Sequence, residues 1–144
     1  MTVRQLSIFV ENRPGRLSAV TGTLAEAGIN IRALSIADTN DFGIMRMLVD
    51  DTDKALATLK GNGFVASVTN VVAVLGDDKP GSLASIVKVL YEDNISVEYM
   101  YAGFINAAKE TACLVLRVDN NESAVRALSE AGIKLLSEDD IAQI

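Results

Sequence analysis

The sequence predicts an α+β protein built from two copies of one strand–helix–strand–strand–helix–strand unit, each with an antiparallel sheet and its helices on one face. The first observation is an internal repeat: Asn12–Leu17 returns as Asp78–Leu83, at an offset of 66 residues (80 − 14). Farther along the offset is 69 (118 − 49), and apolar positions coincide throughout. A repeat of this length indicates a duplicated domain. We therefore predict domains at 1–69 and 70–144, packed side by side.

The second observation is the periodicity of the first copy. Leu6, Ile8 and Val10 alternate with other residue types, which is typical of a strand. Pro14 and Gly15 stop this strand, and proline suits the first turn of the helix that follows. Gly28 is predicted to end that helix in the left-handed conformation. The remaining predicted elements are strand 29–36, a turn at 38–41, strand 42–49, a helix capped from 50–53, and strand 64–68.

The second copy repeats this order, with Asn94 as its left-handed residue. Its predicted elements are strand 71–75, helix 81–93, strand 95–104, strand 111–118, helix 121–131 and a short strand from 133. The hairpin at 103–110 is longer than its counterpart, and Ser137 is expected to cap a short terminal helix. Only residues 69 and 70 separate the predicted strands at the junction, so we expect no flexible linker.

The two faces of the predicted sheets differ in what covers them. Residues expected to face the helices are Met45, Met47, Val49, Leu114, Leu116 and Val118. The opposite face is expected to carry Ser7, Phe9, Ile44, Leu48, Ala73 and Leu75. Such an apolar face is unfavourable in water, so we predict at least a homodimer.

The composition argues against several classes of function. A net charge of −6 and scattered basic residues argue against nucleic acid, and no apolar run approaches the ~20 residues of a membrane span. There is no histidine, which removes the commonest general base and transition-metal ligand. We predict no catalytic residue, metal or cofactor, and the acidic runs 50–53 and 138–140 are read as helix caps. The single Cys113 lies in an apolar strand and favours a cytoplasmic location.

At residues 11–15 and 28–31 the chain resembles the ACT domain, a small-molecule regulatory module of amino-acid metabolism with a ferredoxin-like fold. The first copy is similar to the serine-binding regulatory domain of phosphoglycerate dehydrogenase and to the regulatory subunit of acetolactate synthase. The resemblance implies that an amino acid binds between neighbouring domains, at the first strand–helix loop of one and the start of the second strand of the other. The implied contacts are Asn12, Arg13, Pro14, Gly15, Asn30 and Ile31, with Asp78, Gly81 and Ser96 as their counterparts.

The chemistry of the Asn-Arg-Pro-Gly loop suits an amino acid independently of the resemblance. Unpaired amides at a helix N-terminus favour a carboxylate, and the Asn12 amide can contact either ligand charge. The structural alternative is a well-formed helix start in which Asn12 satisfies local amides. Arg13, Arg16 and Lys79 could pair with a ligand carboxylate or could simply be solvated.

The second copy carries Asp78 and Ser96 where the first has Asn12 and Asn30. An acid at this point repels a ligand carboxylate, unless Arg32 or Lys79 neutralises it. We therefore predict one strong site per chain, nearer Asn12 than Asp78.

The sequence leaves four functions to be considered. The leading one is a non-catalytic amino-acid sensor that regulates a separate enzyme or transporter. The second is an obligate regulatory subunit of a biosynthetic enzyme such as acetolactate synthase. The third is a small enzyme of the acylphosphatase kind, whose anion-cradling loop with arginine and asparagine we do not find. The fourth is a purely structural dimerisation module.

Overall fold

The computed structural model describes residues 1–38 and 41–144, so the predicted turn at 38–41 lies partly outside the described residues. The chain divides into two compact units. The N-terminal unit comprises Arg4–Thr69 and Ile141–Ile144, and the C-terminal unit comprises Met1–Val3 and Asn70–Asp140.

The N-terminal unit follows the predicted order of elements. They are β1 (Val3–Glu11), α1 (Arg16–Glu26), β2 (Ile31–Asp38), β3 (Phe42–Val49), α2 (Thr52–Gly61) and the first part of β4 (Val65–Asp77). Strand β3 pairs antiparallel with β1 on one side and β2 on the other. Glu11 lies opposite Phe42, and Ile31 lies opposite Val49, so the end of β1 and the start of β2 lie at opposite ends of β3.

The C-terminal unit repeats the arrangement and confirms the predicted fold class. After β4 its elements are α3 (Ser82–Glu92), β5 (Val97–Asn106), a 3-10 turn (Ala107–Lys109), β6 (Thr111–Val118), α4 (Asn121–Glu130), β7 (Lys134–Leu135) and α5 (Glu138–Gln143). Strand β6 pairs with β5 and β4, and β7 pairs with the other edge of β4, all antiparallel. The order β5-β6-β4-β7 is that of a βαββαβ unit.

Each unit has its own apolar core between sheet and helices. In the N-terminal unit Met45, Met47 and Val49 are buried with Val20 and Leu24 of α1. The C-terminal core contains Leu116 and Val118 of β6 with Ile86 and Leu90 of α3, and Leu114 packs against it. The predicted helix-facing residues are therefore confirmed.

Most of the opposite sheet face is buried within the single chain. Ser7, Leu48 and Ala73 are buried within the single chain, while Ile44 and Leu75 are half-buried. Phe9 is 49% exposed. Since burial inside one chain already removes most of this surface from water, the face no longer requires a second copy.

Several element boundaries differ from the prediction: β2 and β5 each begin and end two residues later than the predicted strands 29–36 and 95–104. Two further differences have local reasons. The predicted strands 64–68 and 71–75 form one continuous strand, β4, because no glycine or proline interrupts the chain between them. Helix α1 begins at Arg16 rather than at Pro14, because Gly15 has a φ of 88° and cannot belong to the helix. The left-handed residues Gly28 (φ 73°) and Asn94 (φ 56°) are as predicted.

Candidate functional site

The two Pro-Gly loops share one backbone conformation. Gly15 has φ 88° and ψ −13°, and Gly81 has φ 89° and ψ −13°. The N–H of Asn12 donates to the carbonyl just before β3 at 3.1 Å, and the N–H of Asp78 donates to the carbonyl just before β6 at 2.7 Å. A left-handed φ favours glycine, and nothing lies within 4 Å of where a Cβ would stand at either position. The loop geometry therefore repeats even where the side chains have diverged.

The helices that follow these loops have uncapped N-termini. Gly15 and Gly81 occupy the cap positions of α1 and α3, and no side chain accepts a hydrogen bond there. At α2, by contrast, Asp51 accepts from the amide three residues on at 3.0 Å, and Asn120 does the same at α4 at 3.0 Å. The structural alternative, in which Asn12 caps its own helix, is therefore not what the described residues show. The first amide of each helix already donates within the loop, from Arg16 to the Arg13 carbonyl at 3.4 Å and from Ser82 to the Lys79 carbonyl at 3.2 Å. The later amides of the first turn are therefore the ones that an anionic group could contact.

The loop cations are held by a carboxylate at the end of the preceding strand. Arg13 Nε lies 2.9 Å from Glu11 Oε2, and Lys79 Nζ lies 2.9 Å from Asp77 Oδ2. All four side chains are more than half exposed, so these ion pairs add little to stability. A ligand carboxylate would have to compete with the pairing acid for either cation.

Asn30 and Ser96 occupy equivalent positions just before the second strand of each copy. The Asn30 N–H donates to Asp50 Oδ1 at 3.0 Å, and the Ser96 N–H donates to Asp119 Oδ1 at 3.1 Å. The backbone at both positions is therefore fixed, while both residues are exposed.

The structure groups some predicted site residues and separates others. Asn12, Arg13, Pro14 and Gly15 form one exposed loop, as do their counterparts at 78–81. Asn30 and Ile31 lie at the far end of β3, which spans seven residue steps (49 − 42), or about 23 Å. Within one unit, therefore, the loop and the start of the second strand do not meet. Their meeting across neighbouring domains stays a prediction.

A cavity of about 550 Å³ lies at the Pro-Gly loop of the C-terminal unit. Lys79, Pro80 and Gly81 line it, but Asp78 does not. Its other polar lining residues were not predicted as site residues from the sequence; they are Asp77, Ser82, Ser85, Thr111 and Lys134. The available signal was Gly76, a glycine inside an apolar strand, which often marks a close approach.

The acidic residues at 50–53, which could suggest a metal site, have structural roles. Asp51 caps α2, Asp50 holds Asn30, and Arg4 pairs with Asp53 at 2.7 Å. No group of three potential metal ligands occurs among residues 1–38 and 41–144. No helix in this part of the chain has the length and hydropathy to span a membrane.

Cys113 and Arg32 are also accounted for by their surroundings. Burial raises the pKa of the Cys113 thiol to about 11, which keeps it protonated at neutral pH. The Arg32 guanidinium donates to the carbonyls of Ala142, at 2.9 Å, and Ile144. Arg32 therefore binds the segment Ile141–Ile144, which belongs to the N-terminal unit.

Comparison with known proteins gives several matches. Protein BT0572 from Bacteroides thetaiotaomicron is 40% identical, with a TM-score of 0.93 covering 100% of this chain and 98% of that one. The ligand-free regulatory subunit of aspartate kinase from Thermus thermophilus has a similar fold, at 19% identity and a TM-score of 0.64, over 89% and 91% of the two chains. The acetolactate synthase small subunit of Buchnera aphidicola subsp. Baizongia pistaciae (strain Bp) is 39% identical over 49 residues.

That last match covers 34% of this chain and 31% of the relative, so the chain spans about a third of the curated protein's length. The match to a family is complete, since residues 1–144 fit the description of an ACT domain pair. With the duplicated βαββαβ fold and the repeated Pro-Gly loops, this shows that the chain belongs to the ACT domain pair family.

Proposed function

We propose that this chain is a non-catalytic, amino-acid-binding sensor that regulates a partner enzyme or transporter of amino-acid metabolism. The ligand contacts the Asn12–Gly15 loop, and the start of the second strand of a neighbouring domain, represented by Asn30, Ile31 or Ser96, completes the site. The counterpart loop at Asp78 and Gly81 binds the same ligand more weakly. The protein acts in the cytoplasm and as a homodimer.

The observation that carries this proposal is the contrast between the capped and uncapped helices. The α2 and α4 N-termini carry side-chain caps, whereas the helices that follow the Pro-Gly loops have only glycine there. A side-chain cap normally stabilises a helix by about 1 kcal/mol. Both helices that follow a Pro-Gly loop lack one, which suggests that amides of their first turns bind another group. A ligand carboxylate is the group that these amides and the helix dipole would favour.

Asn12 is suited to the remaining charge of an amino acid. Its side chain is exposed and makes no hydrogen bond with the residues that the structure describes. Its amide offers both a donor and an acceptor, and it can therefore bind the ammonium or the carboxylate. Arg13 is held by Glu11 and is a weaker candidate.

A thermal-shift screen of the twenty amino acids tests the proposal on the full chain. A ligand at 100 times its Kd should add about 2.7 kcal/mol to the free energy of unfolding. Calorimetry should then give saturable heat for the same amino acid. Absence of both a melting shift and a binding heat for every amino acid would reject the amino-acid sensor.

The second candidate function is a regulatory subunit of a biosynthetic enzyme, favoured by the 39% identity with an acetolactate synthase small subunit. Under this proposal the chain binds a large catalytic subunit and changes its response to an amino acid. Reconstitution of an acetolactate synthase catalytic chain with and without this protein tests it. Unchanged activity, and separate elution of the two proteins in gel filtration, would contradict it.

The homodimer is tested by sedimentation. Phe9, which is 49% exposed on the outer sheet face, is one apolar side chain that supports it. A single species of 15.3 kDa at micromolar concentration would exclude a stable homodimer.

A further inference from the structure

We propose that a cavity at the start of α4 binds the guanidinium group of a small metabolite. The cavity has a volume of about 450 Å³ and lies within the C-terminal unit, which includes residues 1–3. Its lining residues come from the first residues of the chain, from β4 and from α4; they are Met1, Thr2, Asn70, Asn121, Glu122 and Val125. These are not residues of the proposed amino-acid site, so the inference does not rest on that site.

The first copy carries an arginine–carboxylate pair where the second copy has this cavity. Arg4 and Asp53 are the equivalents of Asn70 (70 − 66) and Glu122 (122 − 69). Arg4 Nη1 lies 2.7 Å from Asp53 Oδ1, and Arg4 Nη2 lies 3.5 Å from Asp53 Oδ2. Two nitrogens of one guanidinium thus face two oxygens of one carboxylate. The second copy keeps the acid and has a shorter, neutral side chain in place of the arginine, so a guanidinium is the group that its cavity lacks.

The Glu122 carboxylate has no cationic partner. Within residues 1–38 and 41–144 it makes no ion pair, either with a basic side chain or with the α-amino group of Met1. Arg117 donates to the Asn70 carbonyl at 2.9 Å, pairs with Glu98 at 3.3 Å and does not line the cavity. Among the described lining residues, Glu122 alone has a charged side chain, in a chain of net charge −6. The charge of the cavity therefore favours a cation.

Asn121 supplies an acceptor that has no donor. Its Nδ2 donates to the Asn70 carbonyl at 3.1 Å, while its Oδ1 is buried without a hydrogen-bond partner in the described part of the chain. The equivalent residue of the first copy is Thr52 (121 − 69), which has no amide oxygen. A buried acceptor without a donor is unfavourable. A guanidinium has five N–H donors in one plane, enough for Asn121 and Glu122 at once.

The position of the cavity at a helix start does not prevent a cation from binding. The positive end of the α4 dipole disfavours a cation. The first copy nevertheless holds Arg4 beside Asp53, an acid in the first turn of α2. Because Asn120 caps α4 through the Ser123 amide at 3.0 Å, the Glu122 carboxylate is not needed as a cap.

The test is titration of the ¹⁵N-labelled full chain with methylguanidinium chloride and, separately, with methylammonium chloride, at constant ionic strength. Saturable shifts are expected at the amides of Asn70, Asn121 and Glu122. The Kd should be lower for methylguanidinium, because its planar group offers a fixed set of donors. Glu122→Gln should raise that Kd about fivefold, the effect of one exposed charge at about 4 Å. The ¹⁵N spectrum of each variant reports whether it is folded.

Asn70→Arg is a second variant, and it leaves Glu122 in place. It restores the arginine of the first copy, whose guanidinium should occupy the cavity and pair with Glu122. Methylguanidinium should then give no saturable shifts there. Two matched controls alter exposed residues that do not line the cavity: Glu130→Gln removes an acid from α4, and Ser67→Arg adds an arginine to β4. Both controls should leave the titration unchanged.

The outcomes separate the possibilities. Equal Kd values for the two cations, shifts that do not saturate, or equal weakening by Glu122→Gln and Glu130→Gln would overturn the inference. Sedimentation distinguishes a small ligand from an arginine of a second copy. Methylguanidinium should leave the mass of the protein unchanged, whereas a fall in mass would assign the cavity to an interface between copies and overturn the inference. Because methylguanidinium carries no carboxylate, its failure to bind would leave the proposed amino-acid sensor intact.

Discussion

Replacing Asn12 by alanine should weaken ligand binding while leaving the stability of the fold nearly unchanged. The Asn12 side chain is exposed and has no hydrogen-bond partner in the described part of the chain. Its loss should therefore change the free energy of unfolding by no more than about 0.5 kcal/mol. A hydrogen bond to a charged ligand group is worth about 1.5–3 kcal/mol, which corresponds to a fall in affinity of roughly 10- to 150-fold.

Asp51→Ala is the matched control with the opposite profile. Asp51 Oδ1 accepts from the amide of Lys54 at 3.0 Å and caps α2. Removing such a cap typically costs about 1 kcal/mol, equivalent to a fall of roughly 4 °C in Tm. Since Asp51 is not part of the proposed site, ligand affinity should be unchanged.

The assay combines urea unfolding with calorimetry for the amino acid that gives the largest thermal shift. Asp78→Ala belongs in the same series and should leave the strong site largely intact. The reasoning is refuted if Asn12→Ala destabilises as much as Asp51→Ala while affinity is retained. Equal loss of affinity from Asn12→Ala and Asp78→Ala would show that the two loops are equivalent.

Four further variants test the structural account. Gly15→Ala should cost roughly 1–2 kcal/mol in urea unfolding because φ is 88°, whereas Gly22→Ala in open space on α1 should stabilise. Because burial raises the pKa of Cys113 from 9.0 to about 11, only the unfolded thiol ionises between these values. Stability should therefore fall across that window, and Cys113→Ala should remove this part of the fall. Hydrogen bonds from the Ser137 backbone and hydroxyl lower the pKa of Asp140, so its stabilisation is lost in acid, and Ser137→Ala should raise that pKa in an NMR titration.

Local signals in the sequence predicted much of the fold. Strands 42–49 and 111–118 were predicted with the bounds that β3 and β6 have, because turn residues flank alternating apolar positions. Gly28 and Asn94 marked helix ends because few other residues tolerate a positive φ. These features depend on neighbours in the chain, which a sequence displays directly.

Features that depend on distant residues could not be predicted in the same way. The cavity brings Gly76 to Lys134, 58 positions away (134 − 76), through the pairing of Leu75 with Lys134 across β4 and β7. A glycine inside a strand can signal a bulge, close packing or a ligand. A Cβ added at Gly76 would lie 3.1 Å from Ser82 Oγ and 3.3 Å from Ile86 Cδ1. These distances identify close packing of α3 against β4, and the sequence alone does not provide them.

Duplication followed by side-chain divergence explains how the two copies can differ in recognition at little cost to the fold. The loops keep the same φ and ψ at Gly15 and Gly81 and the same pairing of cation and acid. What changed are positions on the loop rim and cavity wall, such as Val10 to Gly76 and Val65 to Lys134, which leave the strand register intact. Because the backbone amides are common to both copies, each can attract an anionic group. The side chains then decide how strongly each copy binds, so the two sites should differ in affinity and can be inactivated separately.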